Sequence, residues 1–227
     1  MEPGGFETRV LTELVPQFCN HPSRAWGCEG FQNNCDQIDS HDASDFLEGL
    51  DTGVVEHIGR GQYLAPRSCA KEQFFNSGLK SVQPRRVHLA IEAIITVAAL
   101  SRLHNRFGWP RVLLGTQSKN WEFDVVAHLP TDLSGEYIAG EVKKTVRELD
   151  TLLELMERFG ERADDSASSP TEVNAYNKIQ GLRARRAPFF WGIGPAESGH
   201  LFRVTYRSKG RVSFERTTIE ELAYPGR

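Results

Sequence analysis

The stretch from Trp121 to Met156, WEFDVVAHLPTDLSGEYIAGEVKKTVRELDTLLELM, admits few folds. Two runs alternate with the two-residue period of a strand, and a third repeats with the period of a helix. In Trp121 to Ala127, Trp121, Phe123 and Val125 point one way, and Glu122, Asp124 and Val126 the other. In Tyr137 to Lys143, Ile138, Gly140 and Val142 share one face, and Tyr137, Ala139, Glu141 and Lys143 share the opposite one. Pro130, Thr131, Asp132, Ser134 and Gly135 form a turn cluster between them, and so short a connection favours an antiparallel hairpin. Centring that loop between Asp132 and Leu133 sets residue 124 opposite residue 141. Directly opposed residues on one face hold their Cβ atoms about 4.5 to 5.5 Å apart. Two carboxylates that close repel unless a cation lies between them. Lys143, one strand period past Glu141, brings an ammonium to the same face.

After the hairpin, Thr145 and Glu148 have the spacing of a capping box. Leu149, Leu152, Leu153, Met156 and Phe159 then make an apolar stripe, and Gly160 is a natural stop, so a helix is expected over Val146 to Phe159. Before the hairpin, Val87 to Leu103 is the most apolar segment and its length favours a helix, with Arg85, His88, Glu92 and Thr96 as a polar stripe. Arg111 to Leu114 reads as a strand, Thr171 towards Arg186 as a helix, and Phe189 to Ile193 as a buried strand. Leu201 to Arg207 and Arg211 to Glu215 form a second hairpin, followed by a short helix opened by Thr218 and Glu221.

An Asp on one strand and Glu-x-Lys on the next resemble the PD-(D/E)xK nuclease superfamily through Asp124 and Glu141-Val142-Lys143. The order of elements from Gln83 to Gly194 is similar as well. Phe123 stands where the eponymous proline would be. The resemblance implies an α/β fold: a restriction-endonuclease-like αβββαβ core with a mixed central sheet flanked by helices. It implies a metal-dependent endonuclease of restriction, repair or mobile-element and phage-defence type, acting on DNA with Mg²⁺, for which Mn²⁺ substitutes. Asp124, Glu141 and the Val142 backbone carbonyl would hold the metal. Glu92 matches the first-helix glutamate that often supplies a further ligand. Lys143 would act on the attacking water or on the developing charge. The competing reading is a catalytically silent nucleic-acid-binding module of the same fold.

Residues 81–227 are read as the nuclease-like domain and 1–80 as a mostly helical and loop extension, with helices over Phe6 to Val15 and Asp45 to Ile58 and a loop from Asn20 to Ser40. The formal charge of −3 does not mark a nucleic-acid binder, but its distribution is uneven. Ala25 to Gly59 carries eight acids and no Lys or Arg, Lys80 to Lys119 seven bases against Glu92 alone, and Lys178 to Arg211 eight against Glu197 alone. The basic stretches are expected to present phosphate contacts, with Lys119, Lys144, Arg183, Arg185 and Arg186 as candidates. Double-stranded DNA is the favoured partner; RNA and a homodimer stay open. Cys19, His21, Cys28, Cys35 and His41 lack the C-x₂₋₄-C spacing of a zinc knuckle, so structural zinc is not expected. No apolar run reaches the roughly 18 to 20 residues of a membrane span, and the N-terminus lacks signal-peptide features, so a cytoplasmic protein is expected.

Overall fold

The computed structural model describes residues 4–24, 27–162 and 166–226; the side chain of Trp121 also lies outside the described residues. Helix α1 (Gly4–Arg9) continues through a π-helical turn at Val10–Leu14 into α2 (Val15–Cys19). Helix α3 spans Ser40–Asp51, starting and stopping earlier than the apolar spacing suggests. Asp39 fixes the start, its carboxylate accepting the His41 N–H at 2.8 Å. Beyond α3 the extension is not helical, a correction to the expected pattern. β1 (Glu56–His57), β2 (Gln62–Leu64) and β3 (Glu72–Gln73) form a small sheet, and β4 (Phe75–Ser77) pairs with β5 (Val87–Leu89).

The helix expected from Val87 therefore begins late: α4 covers Ile91–Asn105. Val87 and Leu89 are buried and His88 exposed, the two-residue period of a strand. Arg85 and His88 drop out of the helical stripe, leaving Glu92 and Thr96, whose hydroxyl donates to the Glu92 carbonyl at 2.8 Å.

The main sheet is built from β6 (Leu114–Thr116), β7 (Val125–Ala127), β8 (Ile138–Val142), β9 (Phe189–Ile193), β10 (Gly199–Tyr206) and β11 (Val212–Thr217), with α5 (Val146–Glu161) and α6 (Pro170–Arg185) between β8 and β9. Its order is β11-β10-β9-β8-β7-β6, and only β8 and β9 run parallel, so the fold is α/β with a mixed six-stranded sheet. Two strand boundaries move. Arg111–Leu113 is a 3-10 turn that leads into β6, and Lys119–Trp121 is another, so β7 begins only at Val125. The turn also breaks the expected alternation: Phe123 packs with Val126, on the face opposite Val125.

Two apolar clusters sandwich the sheet. One joins the N-terminal helices and α4 to Val125, Ala127, Ile138 and Val142. The other joins α5 and α6 to Val126, Ala139 and Phe190. Leu149, Leu152, Met156 and Phe159 fill the α5 side, each worth roughly 1.5 to 3 kcal/mol when fully buried. Gly160 does not stop α5. It lets the helix lie on β11, where a Cβ would stand 2.5 Å from the Val212 carbonyl oxygen. Thr145 caps α5 by accepting the Glu148 N–H at 3.2 Å, but Glu148 turns towards Lys144 instead of closing the box. The full capping box is on α6, between Ser169 and Glu172. Among the described residues no helix is long and apolar enough to cross a membrane.

Candidate active site

β7 and β8 pair with Val125 opposite Gly140, Val126 opposite Ala139 and Ala127 opposite Ile138. Asp124 stands just before the paired residues, where its N–H donates at 2.9 Å to the carbonyl of Gly140, the residue that already faces Val125. The Asp124 carboxylate is held on both oxygens. Oδ2 accepts the Val142 N–H at 2.9 Å and Oδ1 accepts from Gln117 Nε2 at 3.3 Å. Gln117 sits at φ +52°, a left-handed conformation that costs a non-glycine residue about 1 to 3 kcal/mol. Backbone bonds to Asp124 and Cys69 keep it there.

Glu141 is 2% exposed and meets two ammonium groups. Lys143 Nζ donates to Oε1 at 2.6 Å and to the Val142 carbonyl at 3.0 Å. Lys178 Nζ lies 2.5 Å from Oε2, an ion pair outside hydrogen-bonding alignment. Lys178 comes from α6, is 6% exposed, and also donates to the Glu122 carbonyl. Gly181 eases this reach: a Cβ there would stand 3.0 Å from both the Glu122 and the Phe123 side chains, a tight contact that glycine avoids. Sequence reasoning missed Lys178. The signal was present, because it occupies a core position among Ala175, Ile179 and Leu182 at helical spacing.

Burial pushes the Glu141 carboxyl up to about 7, with the Asp124 charge adding to the rise and Lys178 and Lys143 opposing it. Burial alone would lower the Lys143 pKa. Glu141, then Asp124 and Glu92, outweigh that and hold it above the ordinary lysine value, so Lys143 is a resident cation.

Glu92, in the first turn of α4, reaches the same place across the cleft. Lost hydration raises its pKa, Lys143 lowers it, and Asp124 and Glu148 raise it further, for a net rise. A further carboxylate comes from outside the expected core. Glu72 on β3 accepts from the same Gln117 amide that binds Asp124, at 2.9 Å, and its pKa is raised by burial and by Asp124 against the Gln117 bond. Nothing in the local pattern around Glu72 marks it; only the tertiary fold brings it in. Glu72, Glu92, Gln117, Asp124 and Lys144 line one open cleft of about 860 Å³.

The candidate phosphate contacts divide. Lys144 is exposed at the cleft, and Lys119 is exposed on the turn before β7. Arg183 instead donates to the Gly210 and Phe159 carbonyls, tying α6 to the turn between β10 and β11. Arg185 is taken up by Glu122 at 2.6 Å and Glu136 at 3.2 Å. Arg186 stacks over the Tyr206 ring at 4.5 Å. The other basic stretch is likewise partly internal, since Arg102 pairs with Asp42 and Asp45 of the acidic N-terminal third. The expected basic surface is thus spent in good part on the protein's own acids and carbonyls.

Among the described residues no three His, Cys, Asp or Glu side chains form a ready metal-binding group. The fit to a metal is one of donor chemistry. Asp124, Glu141, Glu92 and the Val142 carbonyl offer only hard oxygens, which suit Mg²⁺ or Mn²⁺. Burial is the larger cause of the raised Glu141 and Glu92 pKa values, and the nearby Asp124 charge adds to both rises. In comparison with known proteins, no family model, no curated protein and no solved structure matches the chain.

Proposed function

We propose that this chain is a metal-dependent nuclease of the PD-(D/E)xK kind that hydrolyses phosphodiester bonds in DNA with Mg²⁺ or Mn²⁺. The observation that carries the reading is that Asp124, just before β7, and Glu141 on β8 are close enough for their charges to interact, with Lys143 on Glu141 and Glu92 sharing the open cleft with Asp124. The order α4, β6, β7, β8, α5, β9 supports the restriction-endonuclease-like αβββαβ arrangement, with α6 set between α5 and β9.

Asp124, Glu141, the Val142 carbonyl and Glu92 would hold the cation. A bound Mg²⁺ supplies a water acidic enough to attack near neutral pH, and positive charge for the phosphoryl oxygens. The chain's own part is preorganisation. The Val142 N–H and Gln117 fix Asp124 before substrate arrives, so no reorganisation is needed during reaction. Lys143 would act on the attacking water or on the charge that develops on phosphate.

The test is a divalent-ion titration against supercoiled plasmid, linear duplex, single-stranded DNA and RNA. Nicking or linearisation of the plasmid that requires Mg²⁺ or Mn²⁺ is the expected result. Tight metal-independent binding without cutting of any substrate would instead make the chain a silent docking module.

A further inference from the structure

The two lysines on Glu141 are not equivalent. Lys143 is partly exposed and bridges Glu141 Oε1 to the Val142 carbonyl, two of the oxygens proposed above to hold a cation. Its side chain is 17% exposed and lines an open pocket beside Glu92, so an arriving cation can replace this ammonium. Lys178 cannot leave as easily. Its side chain is buried, anchored to the Glu122 carbonyl, and its ammonium stands 5.6 Å from the centre of the Phe123 ring. At Gly181 α6 comes close to Glu122 and Phe123, beside that anchor.

Resting on the nuclease reading, we infer that Lys178 is a positioning residue that retains Glu141 Oε2 and leaves a cation the single oxygen Oε1. Mg²⁺ is usually held by one or two carboxylates and keeps several waters, whereas Ca²⁺ takes more oxygens and readily binds a carboxylate through both. A glutamate restricted to one oxygen favours Mg²⁺ and Mn²⁺ over Ca²⁺. Lys178 therefore sets the choice of metal without touching it.

Calorimetric titration of Mg²⁺, Mn²⁺ and Ca²⁺ into the wild-type protein and into Lys178→Met and Lys178→Gln, each checked for folding by circular dichroism, tests this without reference to cleavage. The ratio of Ca²⁺ to Mg²⁺ affinity is expected to rise about tenfold in the variants, because Glu141 regains its second oxygen. An unchanged ratio in either folded variant overturns the inference and leaves the nuclease reading standing. Wild-type protein that takes up neither Mg²⁺ nor Mn²⁺ overturns both.

Discussion

Two buried ion networks in this protein use the same residue types and end differently. On α4, Arg102 pairs with Asp42 and with Asp45, and the other oxygen of Asp42 accepts the Ala196 N–H at 2.8 Å. That network closes on itself and clamps α3, α4 and the loop before β10 together. The network around Glu141 does not close. Lys143 and Lys178 take one Glu141 oxygen each, yet the carboxyl sits at a pKa of about 7, and neighbouring Asp124 lines a wide cleft with Glu92 and Glu72. Saturated buried charge serves the fold, and unsaturated charge beside solvent marks a place prepared for another charged group.

If the difference is real, breaking the α4 network should cost stability alone. Arg102→Met strands Asp42 in the core, and removing one partner of a buried pair costs about 3 to 5 kcal/mol. Chemical denaturation should register that loss, with cleavage per folded molecule at the wild-type level. Cleavage that falls in step at saturating stability would join the two networks.

A smaller effect is expected at Glu136, which shares Arg185 with Glu122 and has one buried oxygen without a hydrogen bond. Burial pushes its pKa up to about 7, so between the ordinary carboxyl range and that value the folded state holds a proton the unfolded chain has released. The associated stability is full below the window and is lost as pH rises through about 7. Glu136→Gln should flatten the pH dependence of melting across that window, Glu141 contributing what remains, and should stabilise the protein by about 1 to 3 kcal/mol at pH 8. A variant whose melting follows the wild-type pH profile would remove Glu136 from the account.

The smallest effect belongs to Gln117, which orients Asp124 without facing the phosphate. Gln117→Ala should lower cleavage about tenfold, roughly 1.4 kcal/mol of barrier, while relieving no backbone strain, since alanine resists a positive φ as much as glutamine does. Gln117→Glu should be worse, because it replaces a donor shared by two carboxylates with a third carboxylate.

The hairpin register was legible before any coordinates, because centring the loop between Asp132 and Leu133 pairs Val125 with Gly140 and Ala127 with Ile138, as found. The helix α5 was legible for the same reason, its apolar stripe being local. What escaped depends on distance in sequence. Glu72 is placed by β3 of the extension, Lys178 by the bare surface of Gly181, and the fate of Arg183 and Arg185 by carbonyls and acids far along the chain. Val87 to Leu89 misled because β-branched and aliphatic residues suit a buried strand as well as a helix, and only the partner strand β4 decides. Glu141 also proved more buried than a residue that merely faces a cleft, so its replacement strands Lys178 and confounds stability with chemistry.

Asp124 avoids that confusion, being half-buried and held only by an N–H and an amide. The most direct measurement is therefore the Mg²⁺-dependent plasmid cleavage rate of Asp124→Asn, taken on the same preparation as its melting curve. Asparagine keeps the shape and removes the charge. Cleavage is expected to fall on the order of a thousandfold, about 4 kcal/mol of barrier, while melting reflects no more than the one hydrogen bond the asparagine amide cannot accept, about 1 kcal/mol, offset by relief of repulsion with Glu141. Cleavage at the wild-type rate in a folded Asp124→Asn would contradict the account.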